Sequence, residues 1–337
     1  MSHGGAPQGS RARWGWVRPV GGAGILAVLV WRLGAGPFVD ALRRIDGWSL
    51  AAAVGIAALT TVCCAWRWSL VARGLGVAVP LRAAVPAYYR SQFLNTTLPG
   101  GVVGDVHRAV RHGRDVGDRS RGLRAVAWER SAGQVVLIVL AMTVLLVLPS
   151  PVRSSMPVAT AAIVVGAVGV VLLGRALPRR EASWWRSVAR AATADVRAGL
   201  LARRAWPLIV LASVVAVAGH VATFVIAART AGSTATPARM LPLALLVLLA
   251  MGIPLNIAGW GPREGAAAWV FAAAGLGADL GVATAVVYGV LVFVASLPGA
   301  VVLVAAWFTT DGPAGVVDLR LPSGEPSLAR PKGGAGG

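Results

Sequence analysis

Long apolar runs alternate with short polar or basic stretches along most of this chain. A run of about 20 apolar residues is long enough to cross a bilayer as a helix. Runs of this kind predict six full transmembrane helices, at residues 19–38, 48–72, 124–148, 157–177, 206–229 and 281–308. Tryptophans stand near many of their ends, as is typical of the interface with lipid headgroups. The pattern therefore predicts an all-α integral membrane protein.

Arginines are concentrated in two of the stretches between the predicted spans. Residues 105–124 carry six arginines against three aspartates, and residues 175–204 carry eight against one glutamate and one aspartate. Because basic loops stay on the cytoplasmic side of a membrane, we expect both stretches to be cytoplasmic. The same orientation places both chain termini in the cytoplasm.

Two further apolar segments do not fit this orientation as single crossings. Residues 83–104 connect positions that are both expected on the cytoplasmic side, and residues 240–277 connect positions expected outside. Both segments are interrupted by Gly and Pro. We therefore predict two re-entrant broken helices that enter the membrane from opposite sides. Such a pair is typical of an inverted repeat with a substrate site near the middle of the membrane.

The ends of the chain and one basic linker differ from the membrane part. We expect disordered cytoplasmic tails at 1–18 and 309–337, on either side of one polytopic domain at 19–308. In the linker, one helical stripe consists of four arginines, Arg186, Arg190, Arg197 and Arg204. Another stripe consists of the apolar residues Trp185, Val188, Ala192, Val196 and Leu200. This pattern favours a basic helix on anionic lipid, or else an amphipathic linker packed on the bundle.

Composition excludes several other classes of protein. The chain is 56% hydrophobic and 13% charged, and its net charge of +19 is almost entirely arginine in loops. No compact basic domain with interleaved aromatic residues is present, so we expect contact with anionic lipid and no binding of nucleic acid. Cys63 and Cys64 are adjacent, and the histidines lack the spacing of metal ligands. We expect no metal site and no cofactor.

Polar residues that suit a phosphate headgroup lie in two clusters, 95–130 and 259–264. A charge beside an apolar run is costly, so its presence indicates function. The candidate headgroup-binding residues are Asn95, Asp105, Arg108, Glu129, Arg130, Arg263 and Glu264. The residues expected to shape the two loops are Pro99, Gly100, Gly101, Gly104, Gly259, Gly261 and Pro262. Pro262 also suits the first turn of a helix, so we expect a helix to begin there.

Spacing within the first cluster predicts which charges face each other. Asp105 and Arg108 are three residues apart and share one face of a helix. Glu129 and Arg130 point about 100° apart, so each needs a partner from another segment.

We expect the two clusters to meet, because charges buried in hydrocarbon need partners. The predicted cross-pairs are Arg263 with Glu129 or Asp105, and Arg130 with Glu264. Two roles stay open for these charges: contacts to a phosphate headgroup, or ion pairs that only brace the loops. Arginine suits phosphate because its planar guanidinium donates two parallel hydrogen bonds.

Taken in order, these motifs resemble a known family. The stretch N-x-x-x-P-G-G-x-x-G-D-x-x-R at 95–108, the Glu-Arg pair at 129–130 and the run P-x-x-x-x-G-x-G-x-R-E at 254–264 are similar to the lysylphosphatidylglycerol synthase transmembrane-region family, whose members are also called flippase-like domain proteins. The sequence Ala-Trp-Arg-Trp at 65–68 is similar to a further signature of that family.

The resemblance implies that the chain handles lipid. In lysylphosphatidylglycerol synthases the membrane domain moves the aminoacylated lipid across the bilayer, and a separate soluble domain attaches the amino acid. We expect no such soluble domain here. We therefore expect translocation of a phospholipid or lipid-linked precursor across a bacterial cytoplasmic membrane, with the headgroup between the two re-entrant elements.

Two alternatives to translocation stay open. One is an accessory membrane protein of a cell-envelope lipid or glycan pathway. The other is a polyprenyl-phosphate-dependent transferase with Asp105 or Glu129 as the base; no nucleotide, nucleophile or metal motif supports an enzyme. The expected partners are anionic phospholipid or polyprenyl-phosphate lipid, and a homo-oligomer or an envelope-biosynthesis partner is left open.

Overall fold

The computed structural model describes residues 36–98, 101–155, 182–252 and 261–310, and all regular secondary structure in these ranges is helical. A short 3-10 turn occupies Arg153–Ser155, and a π-helical turn occupies Val196–Leu200. The α-helices are α1 (Gly36–Arg43), α2 (Gly47–Gly74), α3 (Leu81–Thr97), α4 (Val103–Asp115), α5 (Arg119–Val147), α6 (Ala182–Asp195), α7 (Trp206–Thr230), α8 (Pro237–Met251), α9 (Pro262–Ala273), α10 (Ala278–Ser296) and α11 (Pro298–Thr310).

Four of the predicted spans are confirmed as helices that are long and apolar enough to cross a membrane. They are Gly47–Gly74, Arg119–Val147, Trp206–Thr230 and Ala278–Ala306, the last of which runs from α10 into α11. The spans predicted at 19–38 and 157–177 lie outside the described residues, except for 36–38 at the start of α1. The predicted tails 1–18 and 309–337 also lie outside them, except that α11 continues to Thr310.

Local sequence explains where two of the long helices begin. Asp46 precedes α2, and its side chain accepts a hydrogen bond from the backbone N–H of Ser49 at 2.8 Å. Asp118 precedes α5 and accepts from the backbone N–H of Arg121 at 3.0 Å. Each aspartate satisfies a backbone donor that the first helical turn leaves without a partner.

The apolar interior of the described residues consists of two groups of buried side chains. The first group joins α2, α3, α4 and the start of α5 and α7, and includes Trp68 and Tyr88. The second joins α7, α8, α9 and α10 with the start of α2 and the second half of α5, and includes Phe224, Phe271 and Tyr288. Helices α2, α5 and α7 contribute to both groups and so connect them.

The basic linker packs on the bundle where its π-helical turn lies. A Cβ atom at Gly74 would overlap the backbone carbonyl of Ala198, so α2 and the turn are in backbone contact. Asp195 at the end of α6 accepts a hydrogen bond from Trp128 Nε1 at 3.1 Å and lies 3.0 Å from Arg124 Nε. The packed form of the linker is therefore confirmed at 195–200, and its contact with lipid stays a prediction.

Candidate functional site

Helices α3 and α4 form a tightly packed antiparallel pair around the first predicted loop. The Asn95 side chain accepts a hydrogen bond from the backbone N–H of Gly104 at 2.8 Å and donates one to Asp105 Oδ2 at 3.0 Å. A Cβ atom at Gly104 would overlap the backbone of Ser91, so glycine allows the two helices to touch. Gly101 has a φ of 62°, in the left-handed region that glycine adopts readily. Predicted loop residues Pro99 and Gly100 lie outside the described residues.

Asp105 lies at the centre of this packed pair. Its carboxylate accepts hydrogen bonds from Ser91 Oγ at 2.9 Å and from Arg108 Nη2 at 3.0 Å. The guanidinium of Arg130, on α5, donates to the other carboxylate oxygen. The predicted contact between Asp105 and Arg108 within one helix is therefore present, and Arg130 extends it to a third helix.

Glu129 is the second carboxylate of the same network and is fully buried. It accepts two hydrogen bonds from Arg67 on α2, from Nε at 3.1 Å and from Nη2 at 2.5 Å. Arg108 Nη2 donates to its other oxygen at 3.0 Å, and the Tyr88 hydroxyl donates at 3.3 Å. We call the set Arg67, Asp105, Arg108, Glu129 and Arg130 the charged network. Three guanidinium groups around two carboxylates give it one net positive charge.

Arg108 is held between two aromatic rings. Its guanidinium carbon lies 4.6 Å from the ring centroid of Trp68 and 4.4 Å from that of Tyr88. Arginine over an aromatic face gains electrostatic stabilisation from the ring, and more so away from water. Arg108 is 1% exposed, so this guanidinium cannot reorient toward a ligand without breaking its contacts.

The second predicted cluster forms the start of α9. Pro262 is the first residue of the helix, as predicted, and Gly261 precedes it with a φ of 112°. Glu264 accepts a hydrogen bond from the backbone N–H of Gly261 at 2.7 Å and one from Arg263 Nε at 2.8 Å. Arg263 also lies over the ring of Tyr288, 5.8 Å from its centroid. Arg263 and Glu264 are both buried, and Gly259 lies outside the described residues.

The predicted cross-pairs between the clusters are wrong. Arg263 pairs with its neighbour Glu264, Arg130 pairs with Asp105, and Glu129 pairs with arginines of α2 and α4. Each carboxylate finds a cation within its own half of the molecule, because α2 supplies Arg67, which the predicted pairing did not include.

Contacts along α7 connect the two halves instead. Ser213 accepts a hydrogen bond from Arg67 Nη1 at 2.9 Å. His220 lies seven residues further on, on nearly the same face of α7, and its Nδ1 is 3.2 Å from the hydroxyl of Tyr288. Seven residues correspond to about 10 Å along a helix. One face of α7 therefore contacts the charged network through Ser213. The same face lies near the Arg263–Glu264 pair through the contact of His220 with Tyr288.

The members of the charged network differ in exposure, and therefore in whether they can contact a ligand. Side chains of Arg67, Arg108 and Glu129 are at most 5% exposed, whereas the side chain of Arg130 is 46% exposed. A buried guanidinium that already donates to a carboxylate braces the helices. A guanidinium on a half-exposed side chain can also donate to an incoming anion. Arg130 is therefore the predicted residue that is best placed to contact a ligand.

His112, near the end of α4, has its ring 5.3 Å from that of Trp68, edge to face. Burial lowers the pKa of its imidazole below the usual histidine value. A backbone hydrogen bond with Val77 and the charge of Asp115 oppose this with smaller effects, and the charge of Arg108 lowers the pKa by less still. Burial beside the charged network therefore favours the neutral form of His112. In the ranges that the structure describes, no group of three or more His, Cys, Asp or Glu side chains is arranged to hold a metal ion.

Sequence reasoning missed Arg67 and several residues that contact the charged network or lie next to the Arg263–Glu264 pair. They are Arg67, Trp68, Tyr88, Ser91, Ser213, His220 and Tyr288. For Arg67 a signal existed, because a lone arginine inside an apolar run is costly unless it is paired. The others are common residue types in helices, and only the packing reveals their contacts.

The structure defines a multi-pass helical membrane protein with buried arginine–carboxylate groups in both halves. Comparison with protein families gives a match over residues 15–299 to the family described as lysylphosphatidylglycerol synthase TM region. The chain belongs to this family. Comparison with curated proteins finds no match.

Proposed function

We propose that this protein moves a phospholipid or lipid-linked precursor across the bacterial cytoplasmic membrane without changing it covalently. Membership of the lysylphosphatidylglycerol synthase TM region family supports a lipid-related membrane function. The observation that carries the proposal is the half-exposed side chain of Arg130 within an otherwise buried charged network. Asp105 holds one side of the Arg130 guanidinium, and in this proposal its other N–H groups donate to a phosphate.

In this proposal the members of the network have different roles. Arg67, Arg108 and Glu129 brace α2, α4 and α5, because they are buried and hydrogen-bond to one another across these helices. Asp105 orients the Arg130 guanidinium, and Arg130 binds the phosphate of the headgroup. One net positive charge on the network favours an anionic headgroup over a neutral one.

We further propose that the helix pairs α3–α4 and α8–α9 are the two re-entrant elements, entering from the cytoplasm and from outside respectively, with both termini cytoplasmic. The two pairs share one local feature that supports an inverted repeat. Asp105 and Glu264 each occupy the third position after the residue that caps the second helix of the pair. Each also pairs with an arginine of its own helix, at Arg108 and Arg263.

Cysteine accessibility tests this topology. Near the end of α4, Gly113 is an unsuitable position for an introduced cysteine, because it is buried and packs against the backbone of Arg119. Arg114 is exposed on the same helix and is suitable. In a background without Cys63 and Cys64, Arg114→Cys is expected to react with a membrane-impermeant maleimide only after the cells are permeabilised. Labelling of intact cells would show that α4 does not end in the cytoplasm.

Reconstitution with fluorescent lipids tests the function. Arg130→Lys keeps the charge but loses the planar fork, and we expect lipid movement to slow by roughly tenfold or more, as for loss of a charged hydrogen bond. Arg121→Gln is the matched control, since Arg121 lies on the same helix with its side chain 51% exposed. Transport by Arg130→Lys and Arg130→Gln at the wild-type rate would refute the role of Arg130.

The same vesicles separate translocation from the alternatives. Headgroup movement with an unaltered lipid supports a transporter, whereas recovery of a covalently modified lipid supports a transferase. Absence of both in the wild-type protein favours an accessory role. Mass spectrometry of the recovered lipid distinguishes the first two outcomes.

A further inference from the structure

Arg90 on α3 is a buried cation without an ion-pair partner among the described residues. It is 5% exposed, and its Nε has no hydrogen-bond partner. Within the part of the chain that the structure describes, no carboxylate lies at ion-pair distance from it. Such groups are rare, because a charge removed from water is costly unless another charge or several hydrogen bonds replace the solvent.

The residues around Arg90 add positive charge rather than compensating it. Burial lowers the pKa of Arg90, the charge of Arg111 lowers it further, and only Asp115 opposes them. Burial and then the charges of Arg90 and Arg111 lower the pKa of the His107 imidazole. The three side chains therefore affect one another electrostatically.

The packing of α3 on α4 explains why these residues lie together. The Gly104 contact with Ser91 fixes the register of the two antiparallel helices. His107 and Arg111 are one helical turn apart on α4, on the side nearest to Gly104. A helical side chain points toward the start of its helix, so Arg90 extends along α3 in the direction in which α4 proceeds.

This group is separate from the charged network. Ser91, the residue after Arg90, directs its hydroxyl to Asp105, and consecutive residues point about 100° apart on a helix. In the charged network, two carboxylates contact the three arginines. Around Arg90, Asp115 alone supplies an opposing charge.

We propose that Arg90, His107 and Arg111 form a second anion site that binds a phosphate group. A phosphate supplies the counter-charge that Arg90 lacks, and guanidinium groups bind phosphate oxygens through paired hydrogen bonds. The phosphate belongs either to the headgroup of an anionic lipid or to a free phosphate ion. The site does not depend on lipid translocation, since it lies apart from Arg130.

Thermal unfolding of the full chain in nanodiscs tests the site. One arm compares sodium phosphate with sodium chloride at equal ionic strength in phosphatidylcholine nanodiscs. The other compares phosphatidylcholine nanodiscs with nanodiscs that also contain phosphatidylglycerol, in the absence of phosphate. A ligand that binds the folded state raises the unfolding temperature. A rise in the first arm identifies free phosphate as a ligand, and a rise in the second arm alone identifies the lipid headgroup.

Two variants and one control show whether the rise comes from this site. Arg111 is exposed, so Arg111→Gln is expected to fold normally. It is expected to need a roughly tenfold higher ligand concentration for the same rise in unfolding temperature, as for loss of a charged hydrogen bond. Arg90→Gln is expected to abolish the response and, without anion, to unfold at a temperature equal to or above that of the wild type. Arg82→Gln removes one exposed positive charge from the same helix and is expected to respond as the wild type does.

Three results would overturn the proposal. The first is a wild-type protein that responds in neither arm. The second is an equal response of the wild type, Arg111→Gln and Arg82→Gln, which would indicate general attraction of anions to a basic protein. The third is a marked loss of stability of Arg90→Gln without anion, which would show that Arg90 braces the fold. Loss of transport in Arg130→Lys, with this response intact, would concern the translocation site alone.

Discussion

Replacing Glu129 by glutamine removes one charge from the centre of the molecule with little change in shape. The Glu129 carboxylate is fully buried and accepts hydrogen bonds from Arg67, Arg108 and Tyr88. Glutamine has the same length and retains one carbonyl oxygen that can accept a hydrogen bond. Its amide group, however, would direct two donors at guanidinium groups that are themselves only donors.

The expected loss of stability is about 3–5 kcal/mol, the range for breaking a buried ion pair by removing one partner. Two arginines are affected: Arg67 loses its only carboxylate within the described residues, and Arg108 keeps Asp105. The lower half of the range would apply if water reaches the guanidinium of Arg67. Because glutamine fills the same volume, the loss contains no contribution from a cavity.

Unfolding in mixed micelles with increasing denaturing detergent measures this loss. Asp118→Asn is the matched control, since Asp118 is an exposed carboxylate on the same helix that pairs with Arg121, and asparagine still caps the helix. We expect the control to unfold nearly as the wild type does, because exposed ion pairs contribute little to stability. A Glu129→Gln variant as stable as the control would refute the idea that the charged network holds the helices together.

Three further outcomes follow from the packing. Gly104→Ala is expected to lower the free energy of unfolding in detergent by about 1–3 kcal/mol, because its Cβ would overlap the backbone of α3. In Gly55→Ala the added Cβ meets no atom within 4 Å, so this variant is expected to be neutral or stabilising by up to about 1 kcal/mol. Arg263→Ala is expected to lower the unfolding temperature by leaving Glu264 buried and unpaired, with Arg263→Lys intermediate; an unchanged alanine variant would exclude a bracing role. Burial lowers the pKa of His112, so the folded chain binds fewer protons than the unfolded one. The contribution of His112 to the free energy of unfolding is therefore fully present above about pH 6.5 and is lost as the pH drops below it. His112→Phe is expected to flatten that pH profile.

Short-range features of the fold follow from the sequence because they depend on neighbouring residues. Apolar runs predicted spans at 48–72, 124–148, 206–229 and 281–308, and the structure has helices at 47–74, 119–147, 206–230 and 278–306. The spacing of Asp105 and Arg108 predicted their contact, and Pro262 predicted the start of α9. Each of these depends on helix geometry within a few residues of the chain.

The choice of partners between helices was not predictable in the same way. Arg67 and Glu129 are 62 positions apart in the sequence, and the contact between their helices depends on how α2 packs with α5. The sequence showed that Glu129 and Arg130 each needed a partner, but several arginines were equally eligible. Aromatic enclosure of Arg108 by Trp68 and Tyr88 likewise requires the positions of three helices.

In the proposed function, the uneven exposure of the charged network divides two roles among its arginines: Arg67 and Arg108 brace the fold, and Arg130 binds a ligand. If every member were exposed, each would be solvated and would hold the helices weakly, because exposed ion pairs contribute little. If every member were buried, the network would have no donor left for a substrate. Burial of Arg108 and Glu129 instead fixes Asp105, and Asp105 fixes one side of the Arg130 guanidinium. In the proposed function, the Arg130 guanidinium is then already oriented before a headgroup binds, which reduces the entropy lost on binding.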